Sequence, residues 1–377
     1  MIYLDNAATA RPLPAALAAA MPFLTEGGNP AAAHSLGRKA ALAMMKAREQ
    51  CAAAFGAEPN EIYFTSGGTE SDNWAVFSTL NATGKHRIIT TAIEHPAVLN
   101  ACREAQRRGA EVIYLPPDKN GLISPEQVER ALTPDTALVS VMAANNEVGT
   151  LQPVAEIGEI CRRAGVLFHT DAVQAAGNIP LNMRELNVDM MSVSAHKVGG
   201  ICGCGLLYVR KGTPLSPLIF GGGQQRGMRS GTENAALAAA FGAALECVCA
   251  DIPARQKRLA AMRDLLINEL SAIPRSRLNG SIDRRLCGNV DFSFEGIEGE
   301  ALVLNLDIAG VCASSASACA SGSGAPSHVL RAMGLEEKWL ACPLRLSLSD
   351  GNTPEEIREA ARIIIECVER LRALTGR

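Results

Sequence analysis

VLFHTDAVQAAGNIPLNMRELNVDMMSVSAHKVGGICGCGLLYVR (166–210) contains three short apolar runs, VLFHTD (166–171), VDMMSVS (188–194) and GLLYVR (205–210). Strands buried on both faces read as continuous apolar runs rather than alternating ones. Working outward, EIYFT (61–65), HRIITT (86–91), EVIYLP (111–116) and ALVSVMA (137–143) have the same character. Helical patterns separate them, at 38–55, about 69–80, 96–108 and VAEIGEICRRAG (154–165). This alternation predicts an α/β fold, a mainly parallel sheet with helices on both faces. An Ala-rich helix over about 233–250, continuing past Pro253, leads into a segment ordered strand, helix, strand, helix. The expected division is a large domain, 13–250, and a smaller α+β domain made of 1–12 plus 251–377.

Composition narrows the function. Of 377 residues 47% are hydrophobic and 20% charged, enough for a large core and too apolar for a disordered chain. Lys and Arg number 36 against 39 Asp and Glu, a net charge of −3, so no bulk positive field exists to hold a nucleic-acid backbone. Arg275, Arg277, Arg284 and Arg285 read as a solvated loop, and no direct nucleic-acid partner is expected. No apolar run approaches the ~20 residues of a membrane span. Asp5 stands where an export signal would need a basic residue, so a cytoplasmic protein is expected. Its 12 cysteines are then mostly reduced, small core residues.

In open α/β sheets ligands sit where strands end, and chemistry-bearing residues fall there. Lys197 directly follows the 188–194 run; such a lysine is either solvated or used, for instance in a Schiff base to pyridoxal phosphate. Asp171 ends its run, placed either to pair with a protonated pyridine nitrogen or to cap a following helix. Gln174, three residues on, could donate to the ring's phenolic oxygen. SGGTES (66–71) has the grammar of a phosphate cradle, with Gly68 and Thr69 opening a helix. A second glycine-rich stretch, GGGQQRGMRSGTEN (221–234), ends in Thr232 with Arg226 and Arg229 nearby, and one of the two cradles could serve a neighbouring subunit. His95 is either a ring-stacking partner or a turn histidine. SSASACASGSGAPS (314–327) cannot pack a core, so Cys319 is expected as an accessible thiol on a moving arm, against the alternative of a cysteine stranded in a surface loop.

These motifs, with NPAAAH (29–34), EHPAV (94–98), NNEVGT (145–150), RGMRSGTEN (226–234) and the SSxSAC loop, resemble those of the cysteine desulfurases of the NifS/IscS type. The likeness runs from YLDNAAT (3–9) to RLSL (345–348). Those are pyridoxal-phosphate enzymes of the class V aminotransferase superfamily, with the fold-type I transferase fold. The resemblance implies that Lys197 anchors the cofactor and moves the Cα proton, that Asp171 partners the pyridine nitrogen, and that His95 stacks on the ring. It implies Gln174 and Asn146 on the phenolic side. Gly68, Thr69, Ser194 and His196 would hold the phosphate, with Thr232 coming from the partner subunit of a homodimer. Arg345 would clamp the carboxylate of L-cysteine and Cys319 would become a persulfide, feeding a sulfur-acceptor protein such as an iron–sulfur scaffold.

Selenocysteine lyase or another class V activity is the alternative within the same fold. No metal site is assigned. VGGICGCG (198–205) departs from the family by placing Cys202 and Cys204 after Lys197; sequence drift, a thiol relay or an adventitious metal site are the readings. Ala325 and Ser349 are further departures, bearing on loop docking and on Arg345.

Overall fold

The computed structural model describes residues 1–315 and 326–375. Its main sheet has seven strands, ordered in space Ile62–Thr65, Gly205–Val209, Met190–Ser194, Leu167–Asp171, Thr136–Ser140, Arg87–Thr91 and Glu111–Leu115. Gly205–Val209 is antiparallel to both neighbours, while all other pairings are parallel. The mainly parallel sheet is thus as expected, with one reversed strand. Every residue of Thr136–Ser140, Met190–Ser194 and Gly205–Val209 is buried, which is why these runs do not alternate.

The covering helices are amphipathic or small-sided. Val154–Ala164 buries Val154, Ile157, Gly158, Ile160 and Cys161, the i, i+3, i+4, i+7 stripe, and stops at Gly165 in a left-handed cap. Ala235–Cys249 packs against Pro14–Thr25 and Ser35–Ala54 through alanines, which allow close approach. Contrary to expectation, that helix does not run on past Pro253. It ends at Cys249, and a second helix, Ile252–Ser271, leaves at 75° with Asp251 accepting from Ala254 N. Pro253 sits in the first turn of the new helix, where its missing N–H costs nothing.

A separate core joins Leu4 to residues between Leu259 and Val368. It lies between the helices Ile252–Ser271 and Pro354–Thr375 and a three-stranded antiparallel sheet, ordered Pro343–Ser347, Asn289–Phe294, Ser276–Leu278. The N-terminal strand Ile2–Tyr3 belongs here, pairing in parallel with Val311–Cys312. Arg285 corrects the expectation of a solvated arginine loop. It is 4% exposed and donates to Asn279 O, Ser281 O and Asn289 Oδ1, while Arg275 and Arg284 are exposed.

Candidate active site

The ends of two adjacent strands supply the chemistry. Leu167–Asp171 delivers Asp171, Met190–Ser194 delivers Ser194, and the single 3-10 turn Ala195–Lys197 delivers His196 and Lys197. The helix Gly68–Thr83 starts beside them, and its first amides face the same space. From the smaller core, strand Pro343–Ser347 contributes Arg345. Together with Asn146, Gln174, His95 and Thr69 these residues line one cleft of about 220 Å³. That is below the ~300–1,000 Å³ usual for drug-sized ligands, and suits one substituted ring better than a dinucleotide.

Each side chain is held. Lys197 Nζ donates to Ala7 O at 2.5 Å and Ala8 O at 2.8 Å. Asp171 is 5% exposed and accepts from Val173 N at 2.9 Å. Burial pushes its carboxyl up, opposed by His95, the Val173 N–H and Lys197. No helix follows it, so the capping alternative falls away: residues 173–178 are turns. His95 stands at a helix start and faces the cleft. Its Nδ1 caps the helix Pro96–Arg107 by accepting from Ala97 N at 3.1 Å, and its ring lines the cleft. Burial, with Lys197 and His328 nearby, lowers its pKa despite Asp171, so the ring is neutral. His196 is likewise pushed down to about 4, by burial and Lys197, and its Nδ1 lies 3.1 Å from Thr9 Oγ1.

The other candidates are partnered within the chain or lie away from the cleft. Gln174 lines the cleft, and its Nε2 donates to Ala7 O at 3.0 Å. Arg226 and Arg229 are both engaged within the chain. Arg229 pairs with Glu70, and Arg226 lies 4.1 Å from the Tyr63 ring centroid, donating to Asn60 O and Ile62 O. Gln225 hydrogen-bonds the backbone of Phe64, so this stretch braces the edge strand Ile62–Thr65. Thr232 is exposed and does not line this chain's cleft. Cys204 is buried in the core with its thiol pushed up to about 12, Cys202 is exposed, and neither lines the cleft. Ser349 closes a local turn with Asn352. Cys319, with Ala325, lies outside the described residues.

Residues without a sequence-assigned role also enter the site. Ala7 and Ala8 receive Lys197, and Asp72 lies beneath Asp171, fully buried beside His169. Asp72, His95 and Asp171 present polar atoms within 4.8 Å of one another, a donor set suited to a cation or a protonated ring nitrogen. No local pattern could reveal Ala7 and Ala8, since the partners are about 190 positions apart.

A model of the class V aminotransferases matches residues 2–359. The chain belongs to the class V aminotransferase family. Among its relatives in this family is the cysteine desulfurase IscS of Methanosarcina thermophila, 46% identical over 378 residues, covering 99% of this chain and 93% of that protein. A solved NifS-like protein superposes with a TM-score of 0.93 at 38% identity, covering 98% of this chain and all of the other. SspA, solved in complex with cysteine, superposes at 0.82 with 37% identity, covering 92% and 99%.

Class V aminotransferases are pyridoxal-phosphate enzymes, and this cleft fits that cofactor. A Cβ on Gly68 would stand 2.8 Å from Val173 Cγ2, so bare backbone is needed at the mouth of the helix. Asn146 Oδ1 is buried without a hydrogen-bond partner among the described residues. An amine, a carboxylate and a neutral imidazole surround the same space, the set that a pyridine ring with an aldehyde requires.

Proposed function

We propose that this chain is a pyridoxal-phosphate-dependent cysteine desulfurase that converts L-cysteine to L-alanine and delivers the sulfur to Cys319 as a persulfide. The observation that carries this reading is the meeting of Lys197, Asp171, His95 and Arg345 in one cleft beside a helix N-terminus. When bound, the cofactor supplies an electron sink for the pair left at Cα on deprotonation. Asp171 would hold the proton of the pyridine nitrogen, and neutral His95 would lie against the ring without competing for that charge. Gly68 and Thr69 at the helix start, with Ser194 and His196 at the neighbouring strand end, would hold the phosphate. Arg345 takes the substrate carboxylate, for which a planar guanidinium is suited.

Lys197 removes the Cα proton and later returns a proton to the substrate frame. The Cys319 thiolate attacks the substrate sulfur: an S–S bond forms as the Cβ–S bond breaks, and the electron pair stays with carbon. Protonation there completes L-alanine. The persulfide sulfur then passes to an acceptor protein such as an iron–sulfur scaffold. The described cysteines are all free thiols, which suits a reducing compartment, the cytoplasm.

The enzyme works as a homodimer. Leu17, Met21 and Leu24 form an exposed i, i+4, i+7 stripe on Pro14–Thr25, and Leu42 and Met45 are exposed on Ser35–Ala54. Both helices pack on Ala235–Cys249, just after the exposed Thr232, so a partner covering that face would receive Thr232.

Mass spectrometry after L-cysteine treatment tests the reading, with alanine measured in parallel. Sulfur is expected on Cys319; Cys319→Ser keeps the cofactor's colour and loses sulfide release, and Lys197→Ala loses the colour. Sulfide release undiminished in Cys319→Ser would overturn the persulfide step. Faster turnover of selenocysteine with no persulfide would favour a selenocysteine lyase.

A further inference from the structure

Asp5 sits where the two halves of the reaction meet. Its Oδ1 accepts from Arg345 Nη2 at 3.0 Å and from Ser314 Oγ at 3.0 Å. Arg345 is 2% exposed, donates through Nη1 to Asn146 O at 3.0 Å, and keeps a buried Nε with no partner among the described residues. Ser314 is buried too, and its backbone exchanges two hydrogen bonds with that of Arg345, at 3.2 and 2.7 Å. One carboxylate oxygen therefore ties the guanidinium that faces the cleft to the first serine of SSASAC.

The geometry points to Asp5 as a positioning residue for sulfur transfer: it registers the start of the Cys319 segment against the arginine that holds the substrate carboxylate. The inference rests on the desulfurase reading above. Five residues of chain reach at most about 17 Å, so wherever Ser314 is held, the Cys319 thiol is confined to a sphere of that order around it. In L-cysteine the sulfur is only a few bonds from the carboxylate. Fixing Ser314 to the carboxylate's own receptor thus ties the origin of that reach to the end of the substrate nearest its sulfur-bearing carbon chain. Without the Asp5 bridge the backbone bonds alone hold Ser314, and Arg345 loses the anion beside it.

Single-turnover measurement of sulfur arriving on Cys319 tests the bridge, with L-alanine affinity read separately from the cofactor's absorbance. Ser314→Ala should slow sulfur arrival about ten-fold, the worth of one hydrogen bond to a charged group, while leaving L-alanine affinity unchanged. Asp5→Ala should slow it at least as much. Asp5→Asn, which keeps the accepting oxygen, should restore it to within about two-fold. The double variant Asp5→Ala, Ser314→Ala should be no slower than Asp5→Ala alone, since both act through one contact. If Asp5→Ala does not fold, Ser314→Ala and Asp5→Asn carry the test. A wild-type rate in Ser314→Ala, or losses that multiply in the double variant, would overturn the proposal alone. Wild-type protein that leaves Cys319 unlabelled would overturn the functional reading and this proposal with it.

Discussion

Arg229 grips Glu70 with two parallel hydrogen bonds, Nε to Oε1 at 2.8 Å and Nη2 to Oε2 at 2.9 Å. Glu70 lies in the first turn of Gly68–Thr83, next to Thr69, and also accepts from Ser66 N at 2.8 Å. Burial alone would raise its pKa, but the Arg229 and Ser66 bonds win and hold the carboxyl below its ordinary value. An arginine from the second glycine-rich stretch thereby ties down the first turn that follows SGG (66–68).

Arg229→Ala should cost roughly 1–3 kcal/mol in urea unfolding, the range for hydrogen bonds to a charged group. The loss should be present at pH 7 and shrink as pH falls through the depressed pKa of Glu70, because protonation breaks the pair in the wild type as well. Equal destabilisation at pH 7 and pH 3 would contradict this.

Gly68→Ala places a methyl 2.8 Å from Val173 Cγ2, at the mouth of the helix. Cofactor affinity, measured by fluorescence titration of the apoenzyme, should weaken about ten-fold or more, close to 1.4 kcal/mol. Thermal stability of the apoenzyme should fall as well, since Val173 must shift to admit the methyl, with alanine's helix propensity offsetting part of the loss.

His95 separates two roles by substitution. His95→Asn retains a side-chain acceptor for Ala97 N and should keep stability within about 0.5 kcal/mol, while His95→Ala loses the cap and about 1 kcal/mol. Both remove the ring, and both should redden or shift the bound cofactor's spectrum and lower turnover. An unchanged spectrum in His95→Asn would remove His95 from the ring-stacking role.

Asp291 faces Arg345 across the small sheet, and burial pushes its carboxyl up to about 7, against hydrogen bonding from Asn279 and attraction from Arg285. A folded-state pKa above the unfolded one contributes stability below about pH 4, lost as pH rises toward 7. Asp291→Asn should therefore flatten the stability profile between about pH 4 and 7, relative to wild type, in urea unfolding. Parallel profiles for the two proteins would refute the assignment.

Much of this was legible from the chain. The strand runs were continuous because they are buried on both faces, and a polar residue at the end of such a run has nowhere to go but the sheet's edge. Lys197, Asp171 and Ser194 were readable for that reason, and SGGTE for its bare backbone ahead of a helix. Arg285 misled, because an arginine in a polar stretch looks alike whether it faces water or pairs inward. Pro253 misled at the bend, since composition alone does not separate a proline inside a helix from one that starts the next.

Local sequence determined the element types, the strand-end positions of the reactive groups and the motifs shared with a family, all of which depend on neighbours a few residues apart. Tertiary structure decided what each group touches: Ala7 and Ala8 receiving Lys197, Asp5 joining Arg345 to Ser314, Gln174 donating to Ala7. Those contacts span up to 340 positions. Hydrogen-bond energies act over about 3 Å. Only the packing of the two cores brings such partners within that distance.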